Sequence, residues 1–342
     1  MHEAFTDVRE RDWDTGVDGT VRLAVVGCGG FARGVVLPAI EACDYVDPTV
    51  GVSGSADNRE AAAEYGLETT DYDGYAAGEL ADEYDAVYVA TPNRLHLPHV
   101  ETAAEQGKHV ICEKPLEATP ERAEQAVDAC EQAGVRLMTA YRMQTDPLVR
   151  RLREFIDDGG IGQVQKLAGD FTFPVLLGSR GPDQWRLDHD LAGGGALVDV
   201  GVYNLNTARF LLDADPERVS GHTRTSGPPF DDVDEHVTVR AEFGDAAGTF
   251  TASFSGHPNA DFTMYGTEGT VRLYGAFQPN RGRRLVVETG DRYELTGAGG
   301  DEIREEFDYF AHAVLTGGEI APDGRDGLTD VRLMEEVYES AR

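Results

Sequence analysis

The chain has 342 residues, 41% of them hydrophobic, enough for two domains each with its own core. Aspartate and glutamate number 62 against 30 lysines and arginines, a formal net charge of −32 spread along the whole length. A surface of that sign repels nucleic acid and anionic lipid, and no apolar run approaches the roughly 20 residues that a membrane helix needs.

Residues 1–19 have neither a basic segment nor an apolar core of the kind a secretory leader carries, so the expected location is cytoplasmic. They read as an N-terminal arm, either a mobile tail or a segment docking on a neighbour through Phe5 and Trp13. Val21–Val26 (VRLAVV) is then a short β-branched run that predicts a strand, followed at once by Gly27-Cys28-Gly29-Gly30. Helical spacing over Phe31–Cys43 leads to a second strand, Val46–Val52. The alternation continues through a helix at Arg59–Tyr65, a strand at Ala86–Ala90 and a helix at Leu97–Gln106. It ends with strands at His109–Cys112 and Arg136–Ala140 around a helix at Pro120–Ala133. Strands alternating with helices predict βαβ units and a parallel sheet, here a Rossmann domain over residues 20–141.

From residue 142 to 342 the pattern becomes that of an α+β domain. A helix over Leu148–Asp157 precedes period-two alternation in Val164–Phe173, and Gly195–Leu212 has helical spacing. Between Val219 and about Tyr293 come alternating strands: His236–Phe243, Ala247–Ser255, Asp261–Tyr265, Thr270–Leu273 and Arg284–Glu288. Such a run predicts a large, mostly antiparallel, open-faced sheet with helices on one side. Glu302–Thr316 and Thr329–Ala341 close the chain as helices that can pack back on the first domain. The open face is expected to seek a partner, giving a homo-dimer or homo-tetramer. Cys28, Cys43, Cys112 and Cys130 lack CxxC spacing and histidine company, so neither a disulfide frame nor a metal site is expected.

Gly27-Cys28-Gly29-Gly30-Phe31-Ala32 fits G-x-G-x-x-G/A directly after a strand and at the start of a helix, the context that gives the motif meaning. Its glycines admit a pyrophosphate to the backbone, and the helix N-terminus favours the charge. The second strand ends in Val52-Ser53-Gly54-Ser55, without the acid that would bind a ribose 2′-hydroxyl, and Arg59 follows. That end therefore favours NADP over NAD, although Asp57 lies between. Thr91-Pro92-Asn93-Arg94-Leu95-His96 and Glu113-Lys114-Pro115 fall at the carboxyl ends of strands, where open α/β sheets bind ligands. Lys114 is one of only three lysines, with Lys108 and Lys166, in a chain that otherwise uses arginine. A compact, titratable ammonium at a strand end points to chemistry. In Gly193-Gly194-Gly195-Ala196-Leu197-Val198-Asp199-Val200-Gly201-Val202-Tyr203, Asp199 and Tyr203 are four apart and share one helix face within an apolar run.

These motifs in this order (GxGxxA, TPNxxH, EKP and GGGxLxDxGxY) resemble the Gfo/Idh/MocA oxidoreductase family over about residues 20–342. Tyr141-Arg142, Asp146-Pro147, Gln184-Trp185-Arg186-Leu187 and Asp330-Val331-Arg332-Leu333 add to the likeness. The look is nearest to the glucose–fructose oxidoreductases and the NADP-dependent D-xylose 1-dehydrogenases, whose sugar 1-dehydrogenase branch carries tyrosine at the place of Tyr203. The resemblance implies a catalytic group of Lys114, Asp199 and Tyr203. It implies oxidation of an aldopyranose, D-xylose or D-glucose, at C1 to the lactone, the hydride going to nicotinamide and the hydroxyl proton to a base. A tyrosine titrates near 10, and a neighbouring Lys114 ammonium would bring it down. Expected cofactor contacts are Gly27, Gly29, Gly30, Phe31, Ala32, Ser53, Gly54, Arg59, Thr91, Pro92, Asn93, His96, Glu113, Lys114, Arg142, Trp185 and Arg186. Tyr141 and Phe277 are expected, with the catalytic group, to face the sugar. A dihydrodiol or inositol dehydrogenase and a non-catalytic NAD(P) sensor remain as other readings. The acid-rich, lysine-poor surface implies a halophilic protein, because molar salt contracts the Debye length to about 3 Å and screens self-repulsion.

Overall fold

The computed structural model describes residues 5, 8, 11–178, 181–278, 282–298 and 300–341. Two compact units result, Trp13–Arg142 with Ile303–Val331, and Met1–Asp12 with Met143–Glu302 and Arg332–Arg342.

The first unit is built on a parallel sheet in the order β3-β2-β1-β4-β5-β6. Its strands are β1 (Val21–Val26), β2 (Val46–Val52), β3 (Glu68–Thr70), β4 (Ala86–Val89), β5 (His109–Cys112) and β6 (Leu137–Thr139). The direction of winding reverses between β1 and β4, the switch point at which such sheets hold ligands. Helices α1 (Leu37–Ile40), α2 (Ala56–Ala63), α3 (Tyr72–Ala76), α4 (His96–Glu105) and α5 (Pro120–Ala133) connect the strands. α2 begins three residues before the expected start because Ser55 caps it, its hydroxyl accepting from the Asn58 amide at 3.3 Å. Leu23, Val25, Tyr88 and Ile111 form the core together with Phe307, Phe310 and Ala311 from the far end of the chain.

α6 (Arg142–Thr145), α7 (Pro147–Asp157), α8 (His189–Ala192) and α9 (Val202–Leu212) follow, and α10 (Glu302–Thr316) and α11 (Gly324–Ser340) close the chain. α11 starts five residues earlier than the spacing suggests, because Asp323 accepts from the Asp326 amide at 2.9 Å. Its first turns lie against β6, where a Cβ at Gly327 would come within 2.3 Å of the Thr139 hydroxyl.

The second unit contains an eight-stranded sheet in the order β14-β13-β12-β11-β7-β10-β9-β8. Its strands are β7 (Val164–Thr172), β8 (Arg218–Arg224), β9 (His236–Phe243), β10 (Ala246–Ser253), β11 (Asn259–Gly266), β12 (Thr270–Tyr274), β13 (Arg283–Thr289) and β14 (Asp291–Ala298). Only β7 and β10 pair in parallel; the other pairs are antiparallel. Burial alternates along β9, β10 and β11, so one face is packed and the other carries Arg240, Thr249, Ala168, Thr263 and Arg272 side by side.

The arm corrects one expectation. Phe5 is 3% exposed and packs on Phe155 with ring centroids 5.2 Å apart, so it is neither a mobile tail nor a hook for a neighbour. Asp12 takes a bidentate bond from Arg150, and Trp13 packs on Tyr45 and His312. Burial of aromatic surface on the chain's own body explains the docking. Among the described residues no helix is long and apolar enough to cross a membrane.

Candidate active site

At the end of β1 the backbone turns through Gly27, whose φ is +98°. A Cβ there would lie 2.8 Å from the Ala90 carbonyl group, so only glycine passes this close to the end of β4. The Gly27 and Cys28 amides donate to the Val52 carbonyl at 2.9 and 3.3 Å, stitching the loop to the tip of β2. Gly29 and Gly30 differ in kind: a Cβ on either would meet nothing within 4 Å. Their backbone faces open space, which a side chain would fill. The helix that follows opens with a π turn, Ala32–Val36, before α1. Phe31, at its start, is 45% exposed. Opening amides of a helix have no intrahelical partner and favour an anion, so this cradle fits a dinucleotide pyrophosphate.

The tip of β2 suits a phosphorylated ribose. Ser53 is buried, and the Arg59 guanidinium donates to its carbonyl at 2.6 Å. That bond engages one of five donors and holds the cation at the strand end, whose own residues Val52-Ser53-Gly54-Ser55 include no acid. Gly54 has the Tyr72 ring 3.2 Å from where its Cβ would be. Arg33, which the sequence reading passed over, lies in the π turn, and its Nε is buried without a hydrogen-bond partner.

The next two strand-end loops are braced from below. His96 is fully buried; its Nδ1 lies 3.1 Å from the Leu116 carbonyl and its Nε2 2.9 Å from that of Thr91. Burial pushes this imidazole below its ordinary range. It braces the loop of Thr91, Pro92 and Asn93 against the loop after Glu113. Glu113 accepts from the buried Tyr88 hydroxyl at 2.7 Å and from the Lys114 amide at 3.2 Å. The Lys114–Pro115 peptide is cis, and Lys114 itself is half-buried. Tyr141 and Arg142 are buried, at 2% and 7% exposed.

In the second unit the GGG turn is shaped by packing. A Cβ at Gly195 would fall 2.1 Å from the Asp234 carbonyl oxygen, and one at Gly194 2.2 Å from the Tyr338 hydroxyl. Asp234 accepts from the amides of Gly195 and Leu197 at 2.8 and 2.9 Å and from the Tyr338 hydroxyl at 2.6 Å. This buried carboxylate caps the helix that carries the site, although it lies far away in sequence. Burial raises its pKa above the usual carboxylate range, against the pull of those donors.

The helix opens with a second π turn, Leu197–Gly201, in which the Val202 amide reaches back to Leu197. π turns are rare and frequent at functional sites, and the two among the described residues lie on predicted site segments. Asp199 sits in the turn with its side chain 13% exposed, and Arg186 Nε donates to its Oδ2 at 3.2 Å. The Arg186 guanidinium lies over the Trp185 ring at 4.4 Å, so Trp185, Arg186 and Asp199 form one assembly. Four residues on, the Tyr203 ring is boxed by Phe171 and Phe277, with centroids 5.4 and 5.7 Å away. Phe277 is fully buried. Arg283 holds the turn beneath it by donating to the Ala276 carbonyl at 2.8 Å, itself ion-paired with Asp146 and Glu302.

Such a division, a glycine cradle in one unit and a carboxylate–tyrosine face in another, defines a dinucleotide-dependent oxidoreductase. Residues 21–141 match the oxidoreductase family with an NAD-binding Rossmann fold, and residues 149–272 match the Gfo/Idh/MocA C-terminal domain. The chain belongs to the Gfo/Idh/MocA family. It is 44% identical to the D-xylose 1-dehydrogenase [NADP(+)] of Haloarcula marismortui, over 97% of this chain and 94% of that one. A second D-xylose 1-dehydrogenase (NADP(+)), from Haloferax volcanii, is 32% identical over 93% of this chain and 97% of its own. Among solved structures, the aldose-aldose oxidoreductase of Caulobacter crescentus complexed with glycerol superposes with a TM-score of 0.88 at 31% identity, covering 94% of this chain and 98% of that one.

Proposed function

We propose that the chain oxidises an aldopyranose at C1 to the aldonolactone with NADP, D-xylose being the first substrate to test. What carries this reading is the helix that offers Asp199, fixed by Arg186, and Tyr203, boxed by two phenylalanines, on one face. The full-length likeness to the Haloarcula enzyme supports the choice of sugar and cofactor. The glycine cradle and the Arg59 fork, with no acid in the Val52-Ser53-Gly54-Ser55 segment, support NADP.

Bound nicotinamide would supply the hydride acceptor. Lys114, Asp199 and Tyr203 then form the catalytic group: Tyr203 takes the 1-hydroxyl proton, and Lys114 supplies the group's positive charge. Asp199 orients the sugar hydroxyl, with Arg186 keeping its carboxylate in place. The half-buried lysine and the restrained carboxylate support this division of roles. The open sheet face, small and polar at Ala168, Thr249 and Thr263, is the surface through which two or four copies associate. The protein works in the cytoplasm, a reducing compartment where its four free thiols persist.

The test is the absorbance of reduced nicotinamide formed in molar KCl with NADP⁺ or NAD⁺ and a panel of aldoses and polyols. Turnover on a pentose or hexose with NADP⁺ supports the reading. Cofactor binding with no turnover on any of them favours a sensor.

A further inference from the structure

We propose that Arg33 is a second ligand of the 2′-phosphate on the cofactor's adenosine ribose, closing on it opposite Arg59. The inference rests on the NADP reading and extends it to a residue outside the strand tip. Arg33 stands in the first turn after the glycine loop, its amide bonded to the Gly29 carbonyl at 3.0 Å. Its own carbonyl accepts from the Tyr65 hydroxyl at 3.0 Å, just past the end of α2, the helix on which Arg59 sits. The glycine loop is in turn bonded to Val52, one residue before the carbonyl that holds Arg59. Arg33 and Arg59 therefore flank one hydrogen-bonded strand tip.

Their partners are the second observation. In a chain with a net charge of −32, most of the described arginines are ion-paired with a carboxylate. Among the described residues, Arg33 and Arg59 are not, nor are Arg94, Arg136 and Arg224, but of these five only Arg33 has a buried Nε with no acceptor at all. A buried N–H of a cation left without an acceptor is unfavourable, and an anionic ligand relieves it. The charge of Arg33 is also felt at the Cys28 thiol, whose amide bonds the same Val52 carbonyl, which places that field at the cradle. A single arginine–phosphate contact is weakened in molar salt, whereas two partly buried forks on one phosphate resist screening.

Calorimetric titration with 2′,5′-ADP, with 5′-ADP as the control, tests this on the full chain in molar KCl. Arg33→Gln is expected to weaken 2′,5′-ADP by about tenfold or more, the worth of a charge-assisted hydrogen bond, with 5′-ADP changed by less than about twofold. Arg33→Lys, which keeps the charge and loses the fork, is expected to fall between. The proposal is overturned if Arg33→Gln binds 2′,5′-ADP as the parent does. It is equally overturned if both nucleotides weaken together, which would make Arg33 a support of the loop. Failure of the NADP reading looks different: the unmodified protein would then bind 2′,5′-ADP no more tightly than 5′-ADP. Circular dichroism of each variant accompanies the titration, and if Arg33→Gln does not fold, retention of full 2′,5′-ADP selectivity by Arg33→Lys overturns the proposal.

Discussion

Asp199 and Tyr203 are held by different means, and this sets what their loss should do. The carboxylate of Asp199 is oriented by a cation that is itself stacked on Trp185, whereas the Tyr203 ring is packed between Phe171 and Phe277. Tyr203→Phe leaves the aromatic box intact and removes only the hydroxyl. It is expected to lower kcat by about 100-fold or more, as loss of a general base does, with the melting temperature and NADP affinity unchanged. Asp199→Asn keeps a hydrogen-bond acceptor for Arg186 and is expected to lower kcat less than Asp199→Ala does. Steady-state kinetics on the three variants check this; a Tyr203→Phe enzyme with parental kcat would remove tyrosine from the proton path. These two residues were legible in the sequence from the apolar run around them. Arg33 was not legible, because a lone arginine in a first helical turn looks like any solvated one. Nor was Asp234, whose role as a cap depends on a contact made 37 residues away from Leu197.

Glycines with opposite duties separate the elements that carry the fold from those that carry the ligand. Gly195→Ala drives a Cβ into the Asp234 backbone, so it is expected to destabilise the second unit by about 1–3 kcal/mol or more and to lower the melting temperature by several degrees. Gly29→Ala enters open space and is expected to leave the melting temperature unchanged while weakening NADP. Thermal unfolding and cofactor titration of the pair distinguish the two; equal destabilisation would mean that the Gly29 backbone is not a cradle. At this scale most strands were legible, since β1, β2, β5 and β9 begin and end where their β-branched runs do. β3 was not: Glu68-Thr69-Thr70 is short and polar, and only pairing with β2 makes it a strand. The two π turns were equally invisible, because one inserted residue does not disturb the spacing of apolar side chains enough to show.

Across the whole molecule, charge is the property that composition states most directly. With 62 acids against 30 bases, the folded chain repels itself in dilute buffer, and screening at molar salt removes that cost. The melting temperature is expected to rise by tens of degrees from low to molar KCl, and a melting curve that ignores salt would contradict halophily. The pairing of Ile303–Val331 with the Rossmann unit was only partly legible. The helical spacing of α10 marks an amphipathic face without saying which core receives it, and Phe307 and Phe310 meet β1 and β4 only in three dimensions.

Incubation with D-xylose and NADP⁺ in molar KCl shows whether the glycine cradle and the Asp199–Tyr203 face serve sugar oxidation. Reduced cofactor is expected in step with aldonolactone or its acid, with NADP⁺ strongly preferred to NAD⁺. Tight NADP⁺ binding without turnover on D-xylose or any other aldose would contradict that function.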